Sequence, residues 1–305
     1  MAILVVGSIA LDSVKTPFGE AKEALGGSAL YFSSAASFFT QVSLVGVVGE
    51  DFPRDNIEFL AKRGVDLSGL EVVKGKTFRW AGSYEHDMNE AKTHATDLNV
   101  FEGFRPKLKP EHENTEFLFL ANIDPILQQD VIAKVKGPKA IGCDTMNFWI
   151  GGKRDELLKT IKKVDIMFIN DAEARQLAVV PNLFKAAKAI REMGPKILVI
   201  KKGEHGAMLL TDNTVFSVPA YPIEDVFDPT GAGDSFAGGF MGYLSSKGEI
   251  NDDNLRRAMV YGSVMASFNV ESFSMERLKT LTQEEIEKRF KEFKQLSHFE
   301  EFEVK

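Results

Sequence analysis

Asp228-Pro229-Thr230-Gly231-Ala232-Gly233-Asp234-Ser235-Phe236-Ala237-Gly238-Gly239-Phe240 is the stretch whose reading decides the fold. Asp228-Pro229 reads as a turn, because proline fixes its own φ and pushes the preceding residue out of the helical region. Gly231 and Gly233 permit positive φ and let the backbone approach a ligand closely. From Asp234 onward, Phe236, Phe240, Met241 and Leu244 recur at helical spacing. A small-residue turn therefore opens directly into a helix. The first amides of a helix lack internal partners, and its dipole adds positive potential, so this start is an anion site suited to phosphate. Asp234 places a carboxylate at the mouth of that site, where it would repel a bound phosphate. Proton abstraction from a hydroxyl that attacks phosphorus gives it a reason to be there. The plain alternative is a Gly-rich loop with an ordinary aspartate cap.

The full string is far more specific than an anion-binding helix start, and it closely resembles the C-terminal signature of the PfkB (ribokinase-like) family of carbohydrate and nucleoside kinases. The resemblance implies an α/β fold, a three-layer sandwich with a mainly parallel central sheet and a small β-sheet lid. It implies ATP and Mg²⁺, with Gly231, Ala232 and Gly233 forming the anion hole, Asp234 as catalytic base and Thr230 on the nucleotide side. Asp228 lies in a loop through which some members bind a monovalent cation, so K⁺ joins the implied cofactors.

Composition agrees with such a protein. The 305 residues allow a large core, read as a single catalytic domain over 1–305. A net charge of −7 argues against nucleic acid as the main partner. Cys143 is the only cysteine, which excludes an internal disulfide and fits a reduced, cytoplasmic setting. Ala2–Val6 is too short for a signal-peptide core, and no stretch approaches the ~20 apolar residues of a membrane helix.

Working outward, Ala2–Val6 reads as a buried strand of a parallel sheet. The resemblance makes Asp12, just after it, the holder of sugar hydroxyls; a turn-capping aspartate is the alternative. Gly26-Gly27 precedes a helical pattern over Ser28–Phe39 and sits where the family has its substrate-side glycine pair. Many members carry an asparagine a few residues further on; here the run is Ser28-Ala29-Leu30-Tyr31, and Tyr31 takes that place. Val42–Val48 is a strand, and Pro53 opens a helix running to Lys62. Segments of about 12–20 and 70–103 show strand-like alternation without helical period and are expected to form the lid. A lid suits a kinase because water must be kept from the phosphoryl donor. Arg79, His86 and His94 read mainly as polar surface.

From Glu116 onward strands alternate with helices, which indicates a doubly wound sheet with ligands beyond the carboxyl ends of its strands. Asn122 and Asp124, Asp144 and Asn147, and Asn170 and Glu173 follow such ends. Asn170-Asp171-Ala172-Glu173 matches the family's N-x-x-E motif, which helps place Mg²⁺ and the phosphates; a helix capping box is the local reading. Lys202 and Gly203, after the strand Lys196–Lys201, resemble the family's turn beside the nucleotide. No G-x-x-x-x-G-K-[ST] loop is present, and no G-x-G-x-x-G follows Ile3–Val6. Asn254–Phe268 reads as a helix, and the resemblance implies that it and the loop after it border the adenine, with Asn269 as a nucleotide candidate. Gln283–Leu296 reads as an amphipathic helix, and Glu300–Lys305 as a frayed tail.

The expected activity is ATP-dependent phosphorylation of a sugar hydroxyl. Phosphorylation of a nucleoside (adenosine, inosine or guanosine) is the alternative, with Tyr31, Phe32, Trp80 and Tyr84 available to stack on a base. A non-catalytic ligand-binding protein on the same fold is a further alternative. The implied partners are small molecules, not nucleic acid or membrane, and the lid's outer face is a candidate for pairing two subunits, as in some relatives.

Overall fold

Apolar runs of four or five residues, too short for helices, alternate with amphipathic stretches through most of the chain, and the runs become strands buried on both faces. The structure is a computed structural model that describes residues 2–298. The tail Glu300–Lys305 lies outside the described residues. In chain order the strands are β1 (Ala2–Val6), β2 (Ala10–Thr16), β3 (Gly19–Gly26), β4 (Gln41–Gly49), β5 (Asp66–Val73), β6 (Phe78–Ser83) and β7 (Lys92–Asp97). They continue as β8 (Phe117–Leu120), β9 (Ala140–Cys143), β10 (Ile166–Asn170), β11 (Ile197–Lys201), β12 (Ala207–Leu210) and β13 (Val215–Val218). Nine of them form one sheet in the order β13-β12-β11-β10-β9-β8-β1-β4-β5. All neighbours in it are parallel except β11–β12 and β12–β13.

Alternation along each strand divides the core. Ile3 and Val5 point to one face and Leu4 and Val6 to the other. The first face is covered by helices Ser28–Ala36, Ala232–Lys247 and Asp252–Asn269, the second by Pro125–Lys134, Arg154–Ile161, Asp171–Ala178 and Leu183–Glu192. A chain of aromatic contacts ties the first face together. Phe32 stacks on Phe119 at 4.1 Å, Phe119 meets Phe168 at 5.7 Å, and Phe168 meets Phe240 at 5.2 Å. Cys143 is buried in the second cluster. Among the described residues no helix is long and apolar enough to cross a membrane.

Strands β3-β2-β6-β7 form a separate, smaller sheet, the lid. Its composition corrects the expected boundaries: residues 70–73 belong to β5, paired in parallel with β4 at the edge of the main sheet, and the lid's first segment runs on to Gly26. β5 has one neighbour only and is half-exposed, so its residue pattern does not separate it from the lid strands that follow. The helix expected from Pro53 begins as a 3₁₀ turn over Arg54–Ile57 and is α-helical only over Glu58–Lys62. Helices Asn147–Gly152, Asp171–Ala178 and Leu183–Glu192 had no counterpart in the sequence reading beyond a helix start at Asn170.

Helices Ser28–Ala36 and Ala232–Lys247 approach unusually closely. A Cβ on Gly238 would overlap the Phe32 carbonyl oxygen, and one on Gly242 would sit 2.9 Å from Ala36 Cα. Gly238→Val is therefore expected to push the helices apart, costing about 1–3 kcal/mol by overpacking. A urea melt of the purified variant checks this; an unchanged midpoint would show that the helices can separate freely.

Candidate active site

The turn Asp228–Gly231 and the start of helix Ala232–Lys247 form the centre of the site. Gly231 caps the helix at φ +75°, a conformation that a residue with a Cβ adopts at a cost, and no side chain caps the first turn. The turn is held from beneath. The Asp228 carboxylate accepts from Thr230 N (2.9 Å) and from Ser274 N (3.0 Å). Asn269 Nδ2 donates to Thr230 O at 2.8 Å, while Ser235 Oγ donates to Asn269 Oδ1 at 3.1 Å. The Ala232 amide donates to Pro229 O at 3.1 Å, which removes it from the free donors of the expected anion hole and leaves those of the glycines beside it.

Behind the turn, the carboxyl ends of β9, β10 and β11 bring charged groups together. Lys201, the last residue of β11, pairs with Asp144, the first residue after β9, at 2.6 Å. Lys201 Nζ would stand 2.9 Å from a Cβ on Gly233, so this cation lies against the anion turn. Acidic neighbours at Asp144, Asp234 and Glu173 hold the lysine above its ordinary value although burial opposes them. Burial and the charge of Asp144 push Asp234 up to about 7, with Lys201 pulling the other way. Desolvation thus sets this carboxyl apart from an exposed aspartate, with its pKa near neutrality. Glu173 is likewise pushed up to about 7 by burial and Asp144. Its Oε2 accepts from Asn170 N (3.0 Å), and Asn170 Oδ1 accepts from Glu173 N (2.8 Å), forming the capping box.

The lid supplies the opposite wall. Asp12 on β2 is 6% exposed, accepts from the Gly27 amide and fills the space that a Cβ on Gly26 would take. Gly27 itself, at φ +96°, caps helix Ser28–Ala36. Burial and the charges of Asp228 and Asp234 push Asp12 up to about 7. In the parallel β2–β6 ladder Asp12 pairs with Trp80, so both point to the same lid face, and the Trp80 ring lies over Gly82. Two contacts bring that face onto the turn: Thr16 Oγ1 donates to Phe227 O at 2.8 Å, and Thr230 Oγ1 meets the Tyr84 hydroxyl at 3.4 Å. Tyr31 is 2% exposed, and its ring packs flat against Gly231.

The structure thus gathers Asp12, Gly26, Gly27, Tyr31, Thr230, Gly231, Gly233 and Asp234 around one cleft, with Asn170 and Glu173 behind it. Asn269 is fully buried with both ends of its amide engaged, so it braces the turn and is not open to a base. Phe32 is fully buried against Phe119 and leaves the set of base-stacking candidates. Lys202 donates its amide to Gly206 O (2.8 Å), and Gly203 starts a 3₁₀ turn beside Asn89 of the lid hairpin. Arg79 faces away from the cleft in pairs with Asp51 (2.8 Å) and Glu23 (2.7 Å). Asp124 caps its helix and pairs with Lys153. The residue that sequence reasoning passed over is Lys201. Its signal was a lysine ending the apolar run Ile197–Ile200, where the strand direction buries it and an acid must answer it.

Because kcat/KM reports the free enzyme, it is expected to fall below an apparent pKa near 7 as Asp234 is protonated, and to stay level above it. A pH–rate series from 5.5 to 9 tests this; a flat profile down to pH 5.5 contradicts it. Asp12 carries a stability consequence of the opposite direction. Its folded pKa lies above the unfolded value, so its ionisation penalty is full above about pH 7 and is relieved as pH falls toward 4. Asp12→Asn is expected to gain about 1–3 kcal/mol at pH 8, with the gain shrinking toward pH 4. Melts at several pH values check the trend.

Comparison with known proteins gives the family. The model of the pfkB family carbohydrate kinase matches residues 8–278. A cytidine kinase of Thermococcus kodakarensis is 31% identical over 250 residues, covering 78% of this chain and 87% of that one. A nucleoside kinase of Methanocaldococcus jannaschii is 24% identical over 238 residues, 75% of this chain and 73% of that one. Among solved structures, a putative ribokinase II from E. coli superposes with a TM-score of 0.80 at 21% identity, covering 95% of this chain and 99% of that one. The chain therefore belongs to the pfkB family of carbohydrate kinases, ATP-dependent enzymes with a hydroxyl acceptor.

Proposed function

We propose that this chain transfers the terminal phosphoryl group of ATP to a hydroxyl of a sugar or of the ribosyl part of a nucleoside, with Asp234 as general base. The observation that carries this reading is Asp234 in the first turn of an uncapped helix, poised near neutrality, with Asp12 across the cleft. Asp234 takes the acceptor hydroxyl's proton. The turn amides at Gly231 and Gly233 and the Lys201 ammonium counter the charge that spreads over the transferred group. Asp12 holds acceptor hydroxyls, and the lid face bearing Asp12 and Tyr84 excludes water.

Among the described residues no three His, Cys, Asp or Glu side chains gather to hold a metal. The donor set fits an Mg²⁺ held mainly by phosphate oxygens and water, with Glu173 and Asn170 behind that water. When bound, Mg²⁺ neutralises donor phosphate charge. Lys202 and Gly203 belong to the donor side. Asp228, 1% exposed and held above its ordinary value by burial, would be relieved by a K⁺ ion nearby.

The sequence reading ranked a sugar ahead of a nucleoside. Trp80, on the same lid face as Asp12, supports the nucleoside, since one face then offers a carboxylate to ribose and an aromatic ring to a base. The cytidine and nucleoside kinases among the relatives support it too. Pairing of two subunits through the lid is also proposed, and light scattering reads it directly.

An ADP-release assay over sugars and nucleosides tests the whole reading. Asp234→Asn is expected to lower kcat by about 10²- to 10⁴-fold, and full turnover in that variant removes Asp234 from the role. Rates are expected to rise when K⁺ replaces Na⁺ or Tris; equal rates in all three would dismiss the cation at Asp228.

A further inference from the structure

Asp144 and Lys201 form an ion pair that stability does not explain. Asp144 is 3% exposed, and its Oδ2 accepts from the Lys201 ammonium at 2.6 Å. Two charges taken out of water seldom gain anything over apolar residues of the same volume. The pair therefore calls for a use.

Its two members are held very differently. Asp144 is fixed at each of its polar groups. Its amide donates to Leu120 O at 3.0 Å, its carbonyl accepts from Gln128 Nε2 at 3.2 Å, and its Oδ1 accepts from Thr145 N at 2.9 Å. Gln128 Nε2 also donates to Ala121 O at 3.0 Å, which ties Asp144 to the end of β8. Lys201 is fixed along its main chain, where the sheet pairs it with Asn170 and Ala207. Among the described residues Asp144 is the one hydrogen-bond partner of its ammonium. A lysine stem is flexible, and two further acids, Asp234 and Glu173, lie in the field of this ammonium. The ammonium nevertheless stays on Asp144 and against Gly233, where a Cβ would stand 2.9 Å from Nζ.

We infer that Asp144 is a positioning residue for phosphotransfer: it holds the Lys201 ammonium against the glycine turn, where the transferred group is received, and keeps it from closing on Asp234. The inference rests on the phosphotransfer reading of the same site and deepens it by a residue that acts through Lys201. Were Lys201 to pair with Asp234, the base would be blocked and the transferred group would lose its cation. Asp234 also faces Asp12 from β2, with Asp228 of the turn beside it, and the phenols of Tyr31 and Tyr84. None of these is a cation, so the position of Lys201 decides the charge balance at the base.

The test is a double-mutant cycle in the ADP-release assay. Asp144→Asn keeps the shape and removes the charge, while Lys201→Met removes the ammonium. Asp144→Asn is expected to lower kcat at least about tenfold and Lys201→Met at least about 100-fold, each with ADP affinity by calorimetry within about twofold of the parent. In the Lys201→Met background, Asp144→Asn is expected to lower kcat by less than about twofold, because its partner is already gone. The acid limb of kcat/KM is expected to move down by at least about half a pH unit in Asp144→Asn, as the freed lysine closes on Asp234, and up by as much in Lys201→Met. Damage to the fold alone would not move the two limbs in opposite directions. A carbon-13 NMR titration of the Asp234 carboxyl, which needs no substrate, is expected to give the same order of midpoints. A smaller kcat fall in Asp144→Asn, additive losses in the double variant, or midpoints that move together overturn the role of Asp144. If the parent releases ADP with no sugar or nucleoside, the phosphotransfer reading fails instead, and the NMR order still decides whether Asp144 keeps Lys201 off Asp234.

Discussion

The close packing of helix Ser28–Ala36 on helix Ala232–Lys247 is the constraint on which the site depends. Both helices start at the cleft, one behind Gly27 and the other behind Gly231, each glycine at positive φ. Gly238 and Gly242 remove the side chains that would hold the helices apart, so backbone meets backbone. A displacement of one helix therefore moves the other. The Tyr31 ring on Gly231 adds a contact at the starting ends, next to the chemistry. Ser8 extends the arrangement to β1, since its hydroxyl accepts from Ser28 N at 3.1 Å. The helix start that carries Tyr31 and the glycine turn are consequently packed directly together, while Asp12 reaches in from the lid.

Electrostatics set the character of that body. Its carboxyls are placed where burial and mutual repulsion keep their protons unusually late, and a single buried lysine offsets part of the cost. The arrangement is unfavourable for stability at neutral pH, and it suits the base role proposed for Asp234, because a base near neutrality is matched to the working pH. Such sites depend on the remainder of the fold for stability. Here the two apolar clusters on either face of the sheet provide it.

Much of this was legible in the residues. The glycine turn and Asp234 announce themselves by type and spacing, Asp12 comes from the family resemblance, Asn170 and Glu173 are legible locally as a capping box, and β1 falls where its apolar run predicts. What was not legible depended on neighbours that a linear reading cannot supply. Lys201 looked like the end of a strand until Asp144 stood 2.6 Å away. Asn269 stood as a nucleotide candidate because the resemblance sets its helix and the loop after it beside the adenine, but the turn above it takes both ends of its amide. The limit between β5 and the lid was hidden because an edge strand and a lid strand are both half-exposed. The raised pKa of Asp234 was not legible because it is a property of burial, not of the residue.

The order of strands has a consequence for how the molecule comes into being. β1 lies between β4 and β8, and its register pairs Ile3 with Phe117, so the first strand made acquires its second neighbour only after more than a hundred further residues exist. Contacts of such sequence separation form slowly and leave apolar strands exposed in the meantime. The helix that begins at Ala232 arrives later still, and it must slide its glycines against a helix formed two hundred residues earlier. A nascent or truncated chain can thus hold much of the sheet while having no glycine turn at Asp228–Gly231 at all. Catalytic competence appears last, as the closing act of folding.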